Sequence, residues 1–165
     1  MNVAVQPAGE AHLSGILAIY NHAVEHTTAI WNDVLVDLEN RRAWWRGRTE
    51  AGFPVLVAVE GEDVLAYASY GPFRAFDGYR RTVEHSVYVA EGARRRGVAS
   101  ALLAALEAEA RRAGMHVILG GIAADNEASL RLHERLGFVE TGRMPQVGQK
   151  FGKWLDLVFM QKVLD

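Results

Sequence analysis

The sequence contains no cysteine among its 165 residues. A disulfide framework, a thiolate metal site and a cysteine nucleophile are therefore excluded. For the same reason, thiol chemistry gives no information about the redox compartment in which the protein works.

Long apolar runs and an excess of charge of one sign are also missing. No apolar stretch approaches the length of a membrane span, and the opening segment MNVAVQPAGEAH has no basic stretch followed by an apolar one, so we expect neither an anchor nor a secretory signal. The 18 basic and 20 acidic side chains leave a formal charge of −2. This balance gives no electrostatic reason to expect nucleic acid or a membrane surface as a partner. We expect a cytoplasmic protein that acts on a small molecule.

Proline is sparse, and its four residues are scattered, so no segment has the composition of a linker. There is no internal repeat and no low-complexity tract. Half of the residues are apolar, which is enough for one core in a chain of this length. We therefore expect a single domain over residues 1–165.

Hydrophobic periodicity and turn signals predict an α/β fold, with a mixed central sheet flanked by helices in the order βα(α)βββαβαββ. Asp37 is the expected N-cap of the second helix and Gly114 the expected C-cap of the third. The predicted helices are 13–24, 38–52, 98–113 and 129–136, and the predicted strands are 3–5, 55–59, 64–70, 82–89, 117–122, 138–147 and 154–163.

A basic loop with a glycine lies between the predicted strand 82–89 and the longest predicted helix. Arg94, Arg95 and Arg96 precede Gly97, and the free amides of a helix N-terminus favour a phosphate group there. No Gly-Lys-Ser/Thr follows the loop and no G-x-G-x-x-G lies within it, so the nucleotide hydrolase and dinucleotide-binding interpretations lose their main support. Taken alone, the three arginines favour a solvated run of charge over a phosphate site.

The pattern Arg94-x-x-Gly97-x-Ala99 resembles the R/Q-x-x-G-x-G/A signature of the GNAT acetyltransferase superfamily. The run from Asn126 to Phe138, Asn-Glu-Ala-Ser-Leu-Arg-Leu-His-Glu-Arg-Leu-Gly-Phe, resembles the second hallmark of that family. The resemblance implies the GNAT fold and acetyl-CoA as the co-substrate.

Longer runs resemble the phosphinothricin and methionine sulfoximine N-acetyltransferases, among them 19–21, 27–31, 67–71, 82–89 and 144–152. This resemblance implies a homodimer that acetylates the amine of a small amino-acid-like substrate. The coenzyme would be lined by Val87, Tyr88, Val89, Arg95, Arg96, Gly97, Val98, Ala99, Ser100 and Asn126. The acceptor would be lined by Arg74, Ala75, Phe76, Glu84, His85 and Ser86, with the 27–31 loop and its Trp31 closing over it.

Glu84 is the candidate general base, because an amine that is protonated at neutral pH must lose its proton before it attacks a thioester. Alternation along the strand places Glu84, Ser86 and Tyr88 on one face and His85 on the other. An acid that faces a covered sheet has a raised pKa, as a general base requires. The alternative is an ordinary glutamate paired with an arginine.

The family resemblance also assigns the remaining catalytic roles. A backbone N–H near Val87 to Val89 would stabilise the oxyanion. Many GNAT enzymes have a tyrosine where this sequence has His133, so His133 is the candidate acid that protonates the CoA thiolate. Tyr88 is a second candidate, and a helix histidine bonded to backbone is the alternative for His133.

Arg74 is the candidate partner for the carboxylate of the acceptor, with Arg80, Arg81 and Lys150 next in order. The histidines show no metal-ligand spacing, so no metal is expected. Two other functions remain open: a GNAT enzyme for a polyamine or a protein N-terminus, and a CoA-binding sensor without turnover.

Overall fold

The computed structural model describes residues 2–165, in which all of the strands form one mixed sheet. The strands lie in the order β1-β2-β3-β4-β5-β7-β6, and every neighbouring pair is antiparallel except β4 and β5. The predicted α/β fold and element order are confirmed. The elements are β1 (Ala4–Pro7), α1 (Leu13–His26), α2 (Leu38–Glu50), β2 (Val55–Glu60), β3 (Asp63–Pro72), β4 (Thr82–Val89), α3 (Val98–Arg112), β5 (Val117–Ala123), α4 (Glu127–Arg135), β6 (Val139–Lys150) and β7 (Lys153–Val163).

The helices cover both faces of the sheet. The apolar stripe of α3 was predicted from its spacing, and its members are 3 % exposed or less and pack on β2, β3 and β5 in the larger core cluster. Helices α1 and α2 cover the other face, where Val55, Val57 and Tyr67 are buried. A strand in the middle of the sheet therefore has helices over both of its faces.

Local capping sets several of the helix ends. The Asp37 side chain accepts a hydrogen bond from Asn40 N at 2.8 Å, and Gly114 follows α3 with a φ of +75°, as the sequence predicted. Helix α4 begins two residues before its predicted start because Asn126 is its N-cap and accepts from Ser129 N at 3.2 Å.

Three strands continue two or more residues beyond their predicted ends, among them β3, which stays paired with β4 as far as Pro72. Strand β1 continues to Pro7, which a sheet tolerates because β1 is an edge strand and needs no donor on its outer side. Strand β6 continues past Gly148 to Lys150, since a register shift between Met144 and Gly148 absorbs the irregular segment and lets pairing resume.

None of the helices formed by residues 2–165 has the length and apolar content that crossing a bilayer requires.

Candidate active site

The two parallel strands separate toward their C-terminal ends. β4 and β5 pair only from Thr82↔Val117 to Glu84↔Leu119, although β4 continues to Val89 and β5 to Ala123. On its other edge, β4 stays paired with β3 as far as Val89. The separation opens a cleft lined by Ala29, His85, Ser86, Val87, Tyr88, Gly120, Gly121, Ile122, Ala123, Asn126, Ser129 and His133.

The predicted coenzyme loop ends at a free helix N-terminus. Gly97 is the N-cap of α3 and has a φ of +74°, in the left-handed region that favours glycine. The first backbone hydrogen bond of α3 runs from Ala101 N to Gly97 O, at 3.1 Å. The amides of Val98, Ala99 and Ser100 therefore lie in the turn whose donors a helix leaves unused. The Val98 side chain is buried in the core, so this residue offers only its backbone.

The three arginines of the loop have different environments. Arg94 and Arg95 are exposed, and Arg95 has a φ of +63°, which marks a constrained backbone for a residue with a side chain. Arg96 Nη2 lies 3.0 Å from Glu60 Oε1 and forms an ion pair. Asn126 lies across the cleft, where it caps α4 and lines the opening.

Glu84 lies on the α1 and α2 face of β4, as the alternation predicted. On that face the Tyr88 and Tyr67 rings are 5.3 Å apart, and Tyr67 packs edge-on against Trp44 of α2. The Glu84 carboxylate is directed toward β5, because a Cβ at Gly121 would lie 3.9 Å from Glu84 Oε2. Burial raises the pKa of Glu84, and the charges of Arg48 and Arg74 oppose that shift. Among the described residues, no cationic nitrogen is within 4.0 Å of this carboxylate, so Glu84 is not a salt-bridged glutamate in residues 2–165.

His85 and His133 form a buried pair on the opposite face. Their Nε2 atoms are 2.9 Å apart, and His133 Nδ1 is 2.7 Å from Ser129 O. A carbonyl only accepts, so His133 carries its proton on Nδ1, and His85 donates from Nε2 to the bare Nε2 of His133. Burial lowers the pKa of His85 to about 3, and burial also lowers the pKa of His133. Both histidines are neutral at neutral pH.

The predicted acceptor residues are divided between these two faces. Ser86 and His85 both line the cleft, from opposite faces of β4. Gly120 leaves room for the His85 ring, since a Cβ there would be 2.8 Å from His85 Cε1. The segment that contains Arg74, Ala75 and Phe76 is exposed. The Arg74 guanidinium lies over the Phe73 ring, 5.2 Å from its centre. Only Glu84 and Ser86 of the predicted acceptor set therefore lie on the α1 and α2 face of β4.

The 27–31 loop is fixed against β6. Lys150 is 2 % exposed, and its Nζ donates to Thr27 O at 2.6 Å and to Ile30 O at 2.5 Å. The Trp31 ring covers Gly148, where a Cβ would approach within 2.2 Å of the indole. Lys150 is therefore committed to backbone carbonyls, and it is not available as the anion-binding cation that the sequence ranked after Arg74.

Sequence analysis missed Arg48, whose charge reaches Glu84. Arg41, Trp44 and Arg48 recur at helical spacing along α2, on the face that packs against Tyr20 and Tyr67. Two arginines at helical spacing from a partly buried tryptophan were a signal that the sequence offered, because most solvated arginines lie on the opposite face of a helix.

Comparisons with known proteins agree with this geometry. The acetyltransferase (GNAT) family model matches residues 16–138. A Pseudomonas aeruginosa protein named L-methionine sulfoximine/L-methionine sulfone acetyltransferase is 55 % identical over 166 residues, covering 100 % of this chain and 96 % of its own.

Two solved structures are similar over nearly their whole length. One, described as a ribosomal-protein-alanine N-acetyltransferase from Brucella melitensis, has a TM-score of 0.96 and 56 % identity, covering 98 % of this chain and 99 % of that one. The other, yncA from Salmonella typhimurium, described as a putative acetyltransferase with its cofactor acetyl-CoA, has a TM-score of 0.96 and 53 % identity, covering 99 % of this chain and 94 % of that one. The strand separation, the free helix N-terminus beside it and these matches lead to one conclusion: the chain belongs to the GNAT family and is an N-acetyltransferase.

Proposed function

We propose that the protein transfers the acetyl group of acetyl-CoA directly to the α-amine of a small amino acid of the methionine sulfoximine or phosphinothricin type. The observation that carries the proposal is the Glu84 carboxylate, which is half-buried, unpaired within residues 2–165 and directed toward the opening between β4 and β5. The relative named for methionine sulfoximine supports the substrate class, and the structure described with acetyl-CoA supports the donor.

The donor would bind along the cleft from α3 to β5. The pyrophosphate would accept hydrogen bonds from the amides of Val98, Ala99 and Ser100, with the exposed Arg95 beside it and Arg96 completing the loop through its ion pair with Glu60. The pantetheine would lie where β5 no longer pairs with β4, and it would contact Val87, Tyr88 and Val89. Asn126 would lie on the opposite side of the coenzyme. Such a donor agrees with the cytoplasmic location expected from the sequence.

Glu84 would accept the proton of the acceptor amine, directly or through water. Its raised pKa makes it a stronger base than an exposed glutamate, and its side chain is only half-buried, which leaves it accessible to the amine. A backbone N–H of the unpaired stretch near Val87 to Val89 would stabilise the oxyanion, because that edge of β4 has no partner in β5.

The departing thiolate would take its proton from His133 or from Tyr88, both of which line the cleft. In the neutral histidine pair, His133 carries its proton on Nδ1 and shares it with Ser129 O. Donation from this neutral ring would leave an imidazolate, and resupply through His85 Nε2 would only move that negative charge to His85, so His133 can act as the acid only after it gains a second proton. Donation from Tyr88 needs no second proton.

A second acceptor is a protein N-terminus, which the Brucella structure's description favours. A peptide N-terminus lacks a free α-carboxylate next to its amine, whereas a free amino acid has one. The two acceptors are therefore distinguished by whether the site recognises that carboxylate.

The experiment is a DTNB assay of CoA release from acetyl-CoA with a panel of amines. We expect release with L-methionine sulfoximine, L-methionine sulfone or phosphinothricin, and little with spermidine or an alanine-initiated peptide. Preference for the peptide would identify a protein acetyltransferase. Acetyl-CoA binding without release for any amine would identify a sensor.

We also propose a homodimer, in keeping with the family resemblance. Large apolar side chains stay exposed along β6, β7 and the turn between them, namely Val139, Met144, Val147, Phe151, Trp154 and Val163. Light scattering coupled to gel filtration would give twice the mass of 18.2 kDa if a second copy covers this surface.

A further inference from the structure

Arg48 occupies an unusual place for an arginine near the end of α2. Its partly buried guanidinium lies over the sheet, 5.9 Å from the centre of the Trp44 ring. Burial lowers the pKa of Arg48, so its charge is held where water compensates it poorly. A charge in such a position requires an anionic partner.

Gly71 of β3 makes room for this guanidinium. A Cβ at position 71 would lie 2.5 Å from Arg48 Nη1 and 2.8 Å from its Cζ, so any side chain there would displace the charged group. Arg48 Nη1 donates to Ser69 Oγ at 3.4 Å, and the Ser69 hydroxyl in turn donates to Pro54 O at 2.8 Å. A glycine and a hydroxyl on β3 thus hold the guanidinium over the sheet.

The described residues leave most of the hydrogen-bonding capacity of Arg48 unused. Within residues 2–165 the Ser69 contact is its single hydrogen bond, and no carboxylate oxygen lies within 4.0 Å of it. A guanidinium has five N–H donors arranged as a fork that fits a carboxylate. The Nε and Nη2 atoms of Arg48 make no hydrogen bond within residues 2–165 and are not sealed from solvent, so a ligand can reach them.

The position of Arg48 relative to Glu84 identifies which anionic group fits. Gly71, which lies under the guanidinium, is the cross-strand partner of Glu84. Directly paired residues on antiparallel strands have Cα atoms about 4.5–5.5 Å apart, and Arg48 is close enough for its charge to lower the pKa of Glu84. In an α-amino acid, the amine and the carboxylate are bonded to the same carbon, so a base for one and a cation for the other must be neighbours.

We infer that Arg48 binds the α-carboxylate of the acceptor while Glu84 takes the proton of its amine. This inference rests on the amino-acid acceptor proposed above. It also gives Arg74 a role other than binding the carboxylate. Arg74 is exposed and lies over the Phe73 ring at the rim, where it would contact the distal end of the acceptor side chain. Arg48 then selects free amino acids over amines and peptides that lack a carboxylate at that position.

The test compares kcat/KM for L-methionine sulfoximine and for its methyl ester in a set of variants. We expect the wild type to prefer the free acid by about 10²-fold, the scale for truncating one member of a desolvated charge pair. Arg48→Ala should lose most of this preference, and Arg48→Lys should keep part of it because the charge remains without the fork. Arg74→Ala should keep the preference for the free acid, and so should Arg46→Ala, which changes an exposed arginine on the same helix as Arg48. All four variants should keep the wild-type Kd for acetyl-CoA.

Gly71→Ala is the second probe, because it displaces the guanidinium without removing it. Its new methyl group meets the flexible end of a side chain, so the variant should fold and should lose the free-acid preference as Arg48→Ala does. This variant decides the question if Arg48→Ala is unstable.

Two outcomes would overturn the role of Arg48. Full preference in Arg48→Ala and Gly71→Ala together with its loss in Arg74→Ala would move the carboxylate to Arg74, and a wild type that does not distinguish acid from ester would have no carboxylate site. If no amino acid releases CoA from the wild type, the proposed function fails on its own. Calorimetric titration of L-methionine sulfone into the CoA-saturated protein then decides: binding weakened by Arg48→Ala supports the site, and equal or absent binding overturns it.

Discussion

At the residue scale, the environment of Glu84 determines how the reaction depends on pH. Burial raises its pKa although Arg48 and Arg74 pull it down. A carboxylate with a raised pKa and no ion-pair partner in residues 2–165 keeps a free lone pair for an incoming proton.

We expect Glu84→Gln to lower kcat/KM by about 10²-fold at neutral pH, because the amide cannot accept the proton of the amine. Activity should recover partly at high pH, where more of the amine is already free. Steady-state rates of CoA release from pH 6 to pH 10 measure this, and the exposed Glu62→Gln is the control. A Glu84→Gln variant as active as wild type across that range would mean that water or another group is the base.

The buried histidine pair links stability to acid. The unfolded chain protonates a histidine near pH 6.5, whereas the folded protein resists protonation of His85 down to about pH 3. Above pH 6.5 His85 is neutral in both the folded and the unfolded state, so its burial costs no stability there. Between these two values the unfolded state binds more protons, so stability falls as the pH falls.

We expect the wild type to lose about 2 kcal/mol through His85 between pH 7.5 and pH 5, by the linkage relation. His85→Gln should remove most of that loss, whatever it costs at pH 7.5. Urea unfolding at the two pH values gives the difference, and the exposed His116→Gln should change like wild type. Equal losses in His85→Gln and wild type would show that His85 is charged or solvated in the folded state.

At the element scale, the loop before α3 depends on one left-handed residue. The space around a Cβ at Gly97 is open, so a side chain is opposed there by its φ of +74° and not by crowding. Changing that backbone angle would turn the first amides of α3 away from the cleft.

We therefore expect Gly97→Val to weaken acetyl-CoA binding by about tenfold or more while the protein stays folded, since β-branched residues avoid this region most strongly. Calorimetry measures the Kd. Gly92→Val is a matched control, because Gly92 has equally open space and no left-handed φ. If the Kd is the same in both variants, the pyrophosphate site lies elsewhere.

The 27–31 loop is held to the sheet by one buried cation. Lys150 Nζ also reaches Ala23 O, at 3.4 Å, so it bonds to carbonyls at the end of α1 as well as in the loop. A cation in this position also satisfies the carbonyl end of a helix.

We expect Lys150→Met to cost about 1–3 kcal/mol, because it leaves buried carbonyls without a donor. It should also raise the KM for the acceptor with little change in acetyl-CoA affinity, if Trp31 covers the acceptor. Urea unfolding and steady-state kinetics test both effects against the exposed Lys153→Met. An unchanged acceptor KM in a destabilised variant would limit Lys150 to a structural role.

At the scale of the whole molecule, β4 lies between the core clusters that cover the two faces of the sheet, and the cleft opens along its edge. A ligand that replaces the missing β4–β5 pairing should hold both halves of the sheet together. A ligand that binds only the folded state stabilises it by mass action.

At 100 times its Kd, acetyl-CoA should add about 2.7 kcal/mol, which is about 5 °C or more in Tm for a chain of this size. Differential scanning fluorimetry with and without acetyl-CoA measures the shift, and Gly97→Val should show a smaller one. Equal Tm values for the wild type at saturating acetyl-CoA would contradict the proposed donor site.

Much of this molecule is determined by local sequence. The periodic apolar stripe of α3, the capping by Asp37 and Gly114 and the alternation along β4 depend on neighbours within a few positions, so element order and the face of Glu84 could be predicted. The loop from Arg94 to Ser100 could be recognised because its signature is contiguous.

Only the tertiary structure decided the contacts between residues that are far apart in the chain. The His85–His133 pair joins a strand to a helix 48 positions later, and Lys150 reaches carbonyls more than 100 positions earlier. Arg48 meets Gly71 and Glu84 only because α2 packs over the β3–β4 pair. The cleft itself exists because β5 leaves β4 after Glu84. No local pattern encodes that separation, since it depends on which strands become neighbours and where the twisted sheet lets them part.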